Sequence, residues 1–266
     1  MQFETILFDV LDGVATITLN RPERANTFND QLKEDLRAAM EAVEVDKNVR
    51  VVIVTGAGRH FCAGGDLTAT RGPMADVFGK ATPVPFITAL SSSRVPVIAA
   101  INGAAKGGGC ELAIACDFRI MAEHAKIGLP ELSFGGLPAA GGTQRLPRLI
   151  GVAAAKEMIF LGRDKTADEA MRIGLVNRVV PLDDLMPTCQ AMARELMLRP
   201  AYALTAAKKA INLGMDMRLD DALDFEREVS AAMATPEERK QAMDAAAARS
   251  TTYAKIFQPP ESDGSN

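Results

Sequence analysis

Residues 103–111 read Gly-Ala-Ala-Lys-Gly-Gly-Gly-Cys-Glu. They lie between two apolar runs, Val97 to Ile101 and Leu112 to Cys116. Three consecutive glycines leave backbone N–H groups uncovered by side chains. If a helix begins there, those N–H groups are unpaired donors at its positive end. Glu111 places a carboxylate three residues past the middle glycine. A backbone anion site beside an acid/base group is suited to stabilising an enolate and moving a proton near it.

On either side of this stretch the chain alternates strands and helices. Residues 5–10 and 14–19 read as strands, with Asp12-Gly13 as a hairpin signal between them. Residues 30–45 carry Leu32, Leu36, Ala39, Met40 and Val43 at helical spacing, with Asn29 or Asp30 as the cap. Val51 to Thr55 and Val97 to Ile101 read as short buried strands, and Phe118 to Met121 and Val176 to Val180 as further candidates. That interleaving predicts an α/β fold through about residue 180. Residues 183–198, 201–213, 218–233 and 236–249 then read as helices, punctuated by Pro200, Gly214 and Pro236. Their apolar faces must be buried against the core or a neighbouring subunit. Residues 67–86 read as a mobile connection flanking the site, and 258–266 as a disordered tail. No repeat of clear sequence periodicity is visible.

Composition narrows the function classes. Thirty Lys and Arg against 34 Asp and Glu give a net charge of −4, which argues against nucleic acid or an anionic membrane as the main partner. No apolar run approaches the ~20 residues of a membrane span, and no signal peptide is apparent at Met1 to Val10. The four cysteines, Cys62, Cys110, Cys116 and Cys189, form no CxxC pair, so they read as reduced, buried thiols of a cytoplasmic protein. The two histidines, His60 and His124, lie in no triad context and exclude a multi-histidine metal centre.

Four segments could carry chemistry. Asn20-Arg21-Pro22-Glu23-Arg24 follows a strand; it is either a solvated turn or a place where Arg24 meets a phosphate. Gly56-Ala57-Gly58 after a strand invites a dinucleotide-binding reading, which fails because position 61, where the third glycine should fall, is Phe. The following Gly64-Gly65 could offer another backbone N–H to an anionic oxygen. The third segment is Gly107-Gly108-Gly109 with Glu111. The fourth is Leu129-Pro130-Glu131 followed by Gly135-Gly136 and Gly141-Gly142. Taken alone, a glycine run serves close helix–strand packing equally well, and a carboxylate such as Glu131 is more often solvated than catalytic.

Together the segments carry a resemblance. Asn20-Arg21-Pro22, Phe61-Cys62-Ala63-Gly64-Gly65-Asp66-Leu67, Pro96 to Gly103, Gly107 to Leu112, Pro130-Glu131 and Gly141-Gly142-Thr143-Gln144-Arg145-Leu146 occur in order. The chain resembles the crotonase family, and within it the enoyl-CoA hydratases, over residues 3 to about 257. The resemblance implies an α/β spiral of ββα units, with residues 1–182 as the acyl-CoA-binding core. It implies a helical trimerisation segment at 183–257 and a homotrimer or a dimer of trimers. It implies Glu111 and Glu131 as the catalytic acids and the N–H groups of Gly65 and Gly108 as an oxyanion hole. Arg24, Arg59, Ala63 and Asp66 match the CoA-binding positions. The substrate is then an acyl-CoA thioester, with CoA part of the substrate and no separate cofactor. Water would add reversibly to a 2-enoyl-CoA to give a 3-hydroxyacyl-CoA. An isomerase or a dehydratase of the carnitinyl-CoA type is the alternative, and a non-catalytic RNA-binding homologue a third reading. Three departures stand out: Leu129 where many hydratases have glutamine, Ala139 for a glycine whose N–H helps hold water, and Lys106 beside the glycine run.

Overall fold

Asp12 and Gly13 both take positive φ, 50° and 81°, the backbone of a tight two-residue hairpin. They join β1 (Ile6–Leu11) to β2 (Val14–Leu19), which pair antiparallel with Leu11 opposite Val14. The computed structural model describes residues 2–65 and 85–249. The expected 67–86 connection, except for residues 85 and 86, and the 258–266 tail therefore lie outside the described residues.

The remaining strands alternate between two sheets. β3 (Val51–Gly56), β5 (Val97–Ile101), β7 (Phe118–Ala122) and β10 (Arg178–Val180) extend the hairpin into a six-stranded sheet of order β1-β2-β3-β5-β7-β10, parallel beyond β2. β4 (His60–Cys62), β6 (Ala104–Lys106), β8 (Lys126–Gly128) and β9 (Lys165–Thr166) form a second sheet in that order, with only β9 antiparallel. Each of β3, β5 and β7 is followed by a short strand in the second sheet. Helices α2 (Pro85–Ser92) and α3 (Gly108–Ala115) follow the first two such pairs. This is the expected ββα spiral. It is a repeat of structure that leaves no repeat in sequence, because each unit faces a different neighbour. The sequence reading missed the short strands β4, β6, β8 and β9, since two or three residues carry no periodicity.

Buried strands explain the continuous apolar runs. All six residues of β3 and all five of β5 are buried, as expected for parallel strands covered on both faces. Helix α1 (Asp30–Val45) buries Leu32, Leu36, Ala39, Met40 and Val43, its predicted stripe. The Asn29 side chain caps it by accepting the Leu32 N–H at 2.9 Å. After β8 come a 3-10 turn (Glu131–Phe134), α4 (Gly142–Ile150), α5 (Val152–Leu161) and α6 (Ala167–Arg172). Helix α7 (Leu182–Met197) packs on β3, β5 and β7. The chain divides into compact units at Leu198/Arg199. In the second unit, α8 (Ala201–Gly214) and α9 (Leu219–Ala232) pack together, and α10 (Pro236–Arg249) starts at a Thr235–Glu238 capping box.

All four cysteines are free and buried, as the spacing predicts. No described helix is long and apolar enough to cross a membrane.

Candidate active site

The glycine run does begin a helix. Gly107 caps α3 with φ 54° and ψ −126°, and Gly108 is its first residue. The Gly108 N–H therefore has no acceptor inside the helix. The segment 63–65 runs beside it. A Cβ built on Gly64 would lie 2.9 Å from the Gly108 nitrogen and 2.8 Å from the Lys106 oxygen, so only glycine permits this approach. Gly65 forms a parallel bridge with Phe28, in which the Phe28 N–H donates to Gly64 O at 2.8 Å. In such a bridge the central residue's own N–H is left out of the pairing. Phe28 also packs its ring where a Gly108 side chain would be, and stacks edge-on against Phe86 at 5.0 Å. One buried aromatic thus holds both glycine segments together.

Glu111 and Glu131 converge on the start of α3. The Glu111 N–H bonds to Gly107 O at 3.0 Å, one turn back. Glu131 Oε1 lies 3.1 Å from the position of a Gly107 Cβ. Glu111 is buried, and its Oε1 accepts the N–H of Ala140 at 2.7 Å and of Gly142 at 2.8 Å. Burial pushes its carboxyl above the usual range, and the Glu131 charge adds to this. The N–H groups of Gly142 and Ala140 and the Arg145 charge oppose it. Glu131 is half-buried, and its Oε2 is buried without a hydrogen-bond partner among the described residues. Burial raises its pKa also, against its own backbone N–H. Two carboxyls meeting at one helix start, both pushed upward, favour a shared proton.

The residues matched to CoA contacts gather around the Pro22–Arg24 turn. Arg24 is exposed beside Ala25, whose carbonyl accepts the Ala63 N–H at 3.0 Å. Arg59 is exposed and follows Gly58, where an added Cβ would lie 3.0 Å from Pro22. Asp66 lies outside the described residues. Asn26, buried at the centre of this turn, donates from Nδ2 to the carbonyls of Ala57, His60 and Phe61 at 3.0, 2.8 and 3.2 Å. It ties the turn to the loop after β3.

Sequence reading brought forward both glutamates and both glycine segments, but not the amides that hold Glu111. Those amides belong to Ala140 and Gly142, and the neighbouring Ala139 is exposed. Arg145 was visible only as part of the Gly141–Leu146 motif. Leu129 is fully buried beneath Gly142. Lys106 pairs with Asp164 at 2.5 Å, both half-exposed.

Two sheets with interleaved helices, and a helix start flanked by glycine where buried Glu111 and half-buried Glu131 meet, define an α/β protein with a carboxyl pair at one site. The chain belongs to the enoyl-CoA hydratase/isomerase family, whose model matches residues 9–254. It is 39% identical over 249 residues to the short-chain-enoyl-CoA hydratase of Clostridium acetobutylicum, covering 92% of this chain and 95% of that one. Over 249 residues it is 37% identical to the crotonyl-CoA hydratase of Syntrophomonas wolfei, with the same coverage. A crystal structure of the enoyl-CoA hydratase from Bacillus anthracis superposes with a TM-score of 0.85 at 39% identity, covering 93% of this chain and 98% of that one. By these relatives the chain is an enzyme of the hydro-lyase class.

Proposed function

We propose that this enzyme adds water reversibly to a 2-enoyl-CoA thioester, giving a 3-hydroxyacyl-CoA. The observation that carries the reading is the unequal pairing of two carboxyls at one helix start. Glu111 has two backbone donors, which favour its charged form. Glu131 has a buried oxygen with no donor among the described residues, which favours its protonated form. Glu111 takes a proton from water as the water oxygen bonds to C3 of the substrate. The C2–C3 π electrons shift toward the thioester oxygen. The N–H groups of Gly65 and Gly108 stabilise that enolate. Glu131 then delivers its proton to C2, and the net addition is one water.

Arg24, Arg59 and the backbone near Ala63 supply the CoA contacts in this reading, with Asp66. The CoA is substrate, so no further cofactor is called for. Unit two leaves Ile211, Leu213, Met215, Met217, Leu219 and Leu223 exposed. Apolar surface of that kind fits burial between subunits, in a homotrimer or a dimer of trimers.

Crotonyl-CoA and a 3-enoyl-CoA offered side by side test the reaction. Loss of the conjugated-enoyl absorbance with the first is expected. Its appearance with only the second would assign the enzyme to double-bond migration instead.

A further inference from the structure

The guanidinium of Arg145 lies on the far side of the loop that holds Glu111. Its Nη1 donates to Ala140 O at 3.0 Å and its Nη2 to Ser91 Oγ on α2 at 3.4 Å. The same Ala140 residue donates its N–H to Glu111 Oε1. Gly141 closes the arrangement: it takes φ 115°, and a Cβ there would come within 2.0 Å of Arg145 Nη1. The chain from 140 to 142 is therefore gripped from both sides, by a carboxylate on its amides and a guanidinium on its carbonyl.

We infer that Arg145 is a positioning residue, which acts through the Ala140–Gly142 backbone to keep Glu111 oriented and ionised for proton abstraction. This inference rests on the reading of Glu111 as the base.

A guanidinium bonded to the Ala140 carbonyl holds the 140–142 backbone in place, and with it the Ala140 and Gly142 N–H groups that meet Glu111. The charge also favours ionised Glu111 directly. Burial pulls the Arg145 pKa downward, with Glu111 the opposing influence, yet a guanidinium stays charged throughout the working range. The other titratable groups acting on Glu111 do not supply this. Glu131, from the turn after β8, disfavours its charge. Cys110, its neighbour in α3, is a thiol whose pKa burial pushes far up, so it is neutral. Among the described residues, Arg145 is the cation whose charge acts on Glu111.

The test is a kcat–pH profile with crotonyl-CoA for Arg145→Met and Arg145→Lys, each checked for native circular dichroism. Arg145→Met should lower kcat about 100-fold, the scale of a small misplacement of a catalytic group. Its acid limb should move to higher pH. Arg145→Lys keeps the charge but loses the fork that spans Ala140 and Ser91. Its kcat should fall about tenfold with KM unchanged and the acid limb in place. An acid limb unmoved in Arg145→Met overturns the inference. Should that variant not fold, wild-type kcat in Arg145→Lys overturns it. Glu111→Gln run alongside separates the two failures. If it retains full activity, the assignment of the base is wrong; if it is inactive while Arg145→Met keeps the wild-type profile, only the role of Arg145 is.

Discussion

Gly107 and Glu131 meet so closely that a Cβ on the glycine would stand 3.1 Å from Glu131 Oε1. The glycine also holds φ 54° and ψ −126°, a conformation that side chains rarely adopt. Gly107→Ala should therefore cost about 1–3 kcal/mol of stability. It should also lower turnover beyond that, by pushing Glu131 off the helix start. Urea unfolding and kcat on the same preparation check the two parts.

Removing either carboxyl should separate binding from chemistry. Glu111→Gln and Glu131→Gln are each expected to lower hydration about 10²- to 10⁴-fold, the usual contribution of a general acid or base. CoA-ester affinity should hold, because neither side chain belongs to the proposed CoA contacts. Titration with a non-reactive acyl-CoA beside steady-state rates reads both quantities.

The raised Glu111 pKa has a consequence for folding. A carboxyl whose folded-state pKa lies above its unfolded value holds its proton more tightly in the native protein. Stability is then fully present below the unfolded pKa and is lost as pH rises through the folded one. Glu111→Gln removes that loss. The variant should melt above the wild type at neutral pH, and the gap should close on acidification. A melting series from neutral to acid pH decides it.

Asn26 is the clearest structural anchor of the site. It is buried, takes φ 56°, and its Nδ2 serves three carbonyls. Asn26→Ala should cost about 3 kcal/mol, since buried carbonyls lose their donor. Asn26→Asp should cost more, because a carboxylate would face those carbonyls. Chemical denaturation of both variants tests the order.

Lys106 calls for a smaller effect. Its pair with Asp164 is 37% and 26% exposed at the two side chains, so solvent screens it. Lys106→Met should shift stability by about 1 kcal/mol or less. A double-mutant cycle with Asp164→Asn measures the pair.

Much of the core was legible because its signals are periodic or local. The 30–45 stripe, the Asp12-Gly13 hairpin and the wholly apolar β3 each declare themselves within a short window. The second sheet does not. His60–Cys62 and Ala104–Lys106 are strands only because they pair with one another, a fact of tertiary structure. The site shows the same division. Glu111 and Glu131 were found by residue type and motif. The grip of Ala140 and Gly142 on Glu111 is made by backbone amides, which have no letter in the sequence. Arg145 has a letter, but nothing in its neighbours indicates that it reaches back to residue 140 and across to Ser91.

Gly65 differs from the other glycines around it in one respect. A Cβ placed there meets nothing within 4 Å among the described residues. Gly64 and Gly107 are locked by their neighbours, whereas Gly65, itself a proposed backbone donor, has room for a side chain among the described residues. Its amide would stay where it is whatever side chain it carried. A side chain added at residue 65 would therefore change the surface beside the proposed donor and leave the backbone N–H itself in the chain. Within this scaffold, new substrate preferences could be explored at residue 65 without first breaking the chemistry.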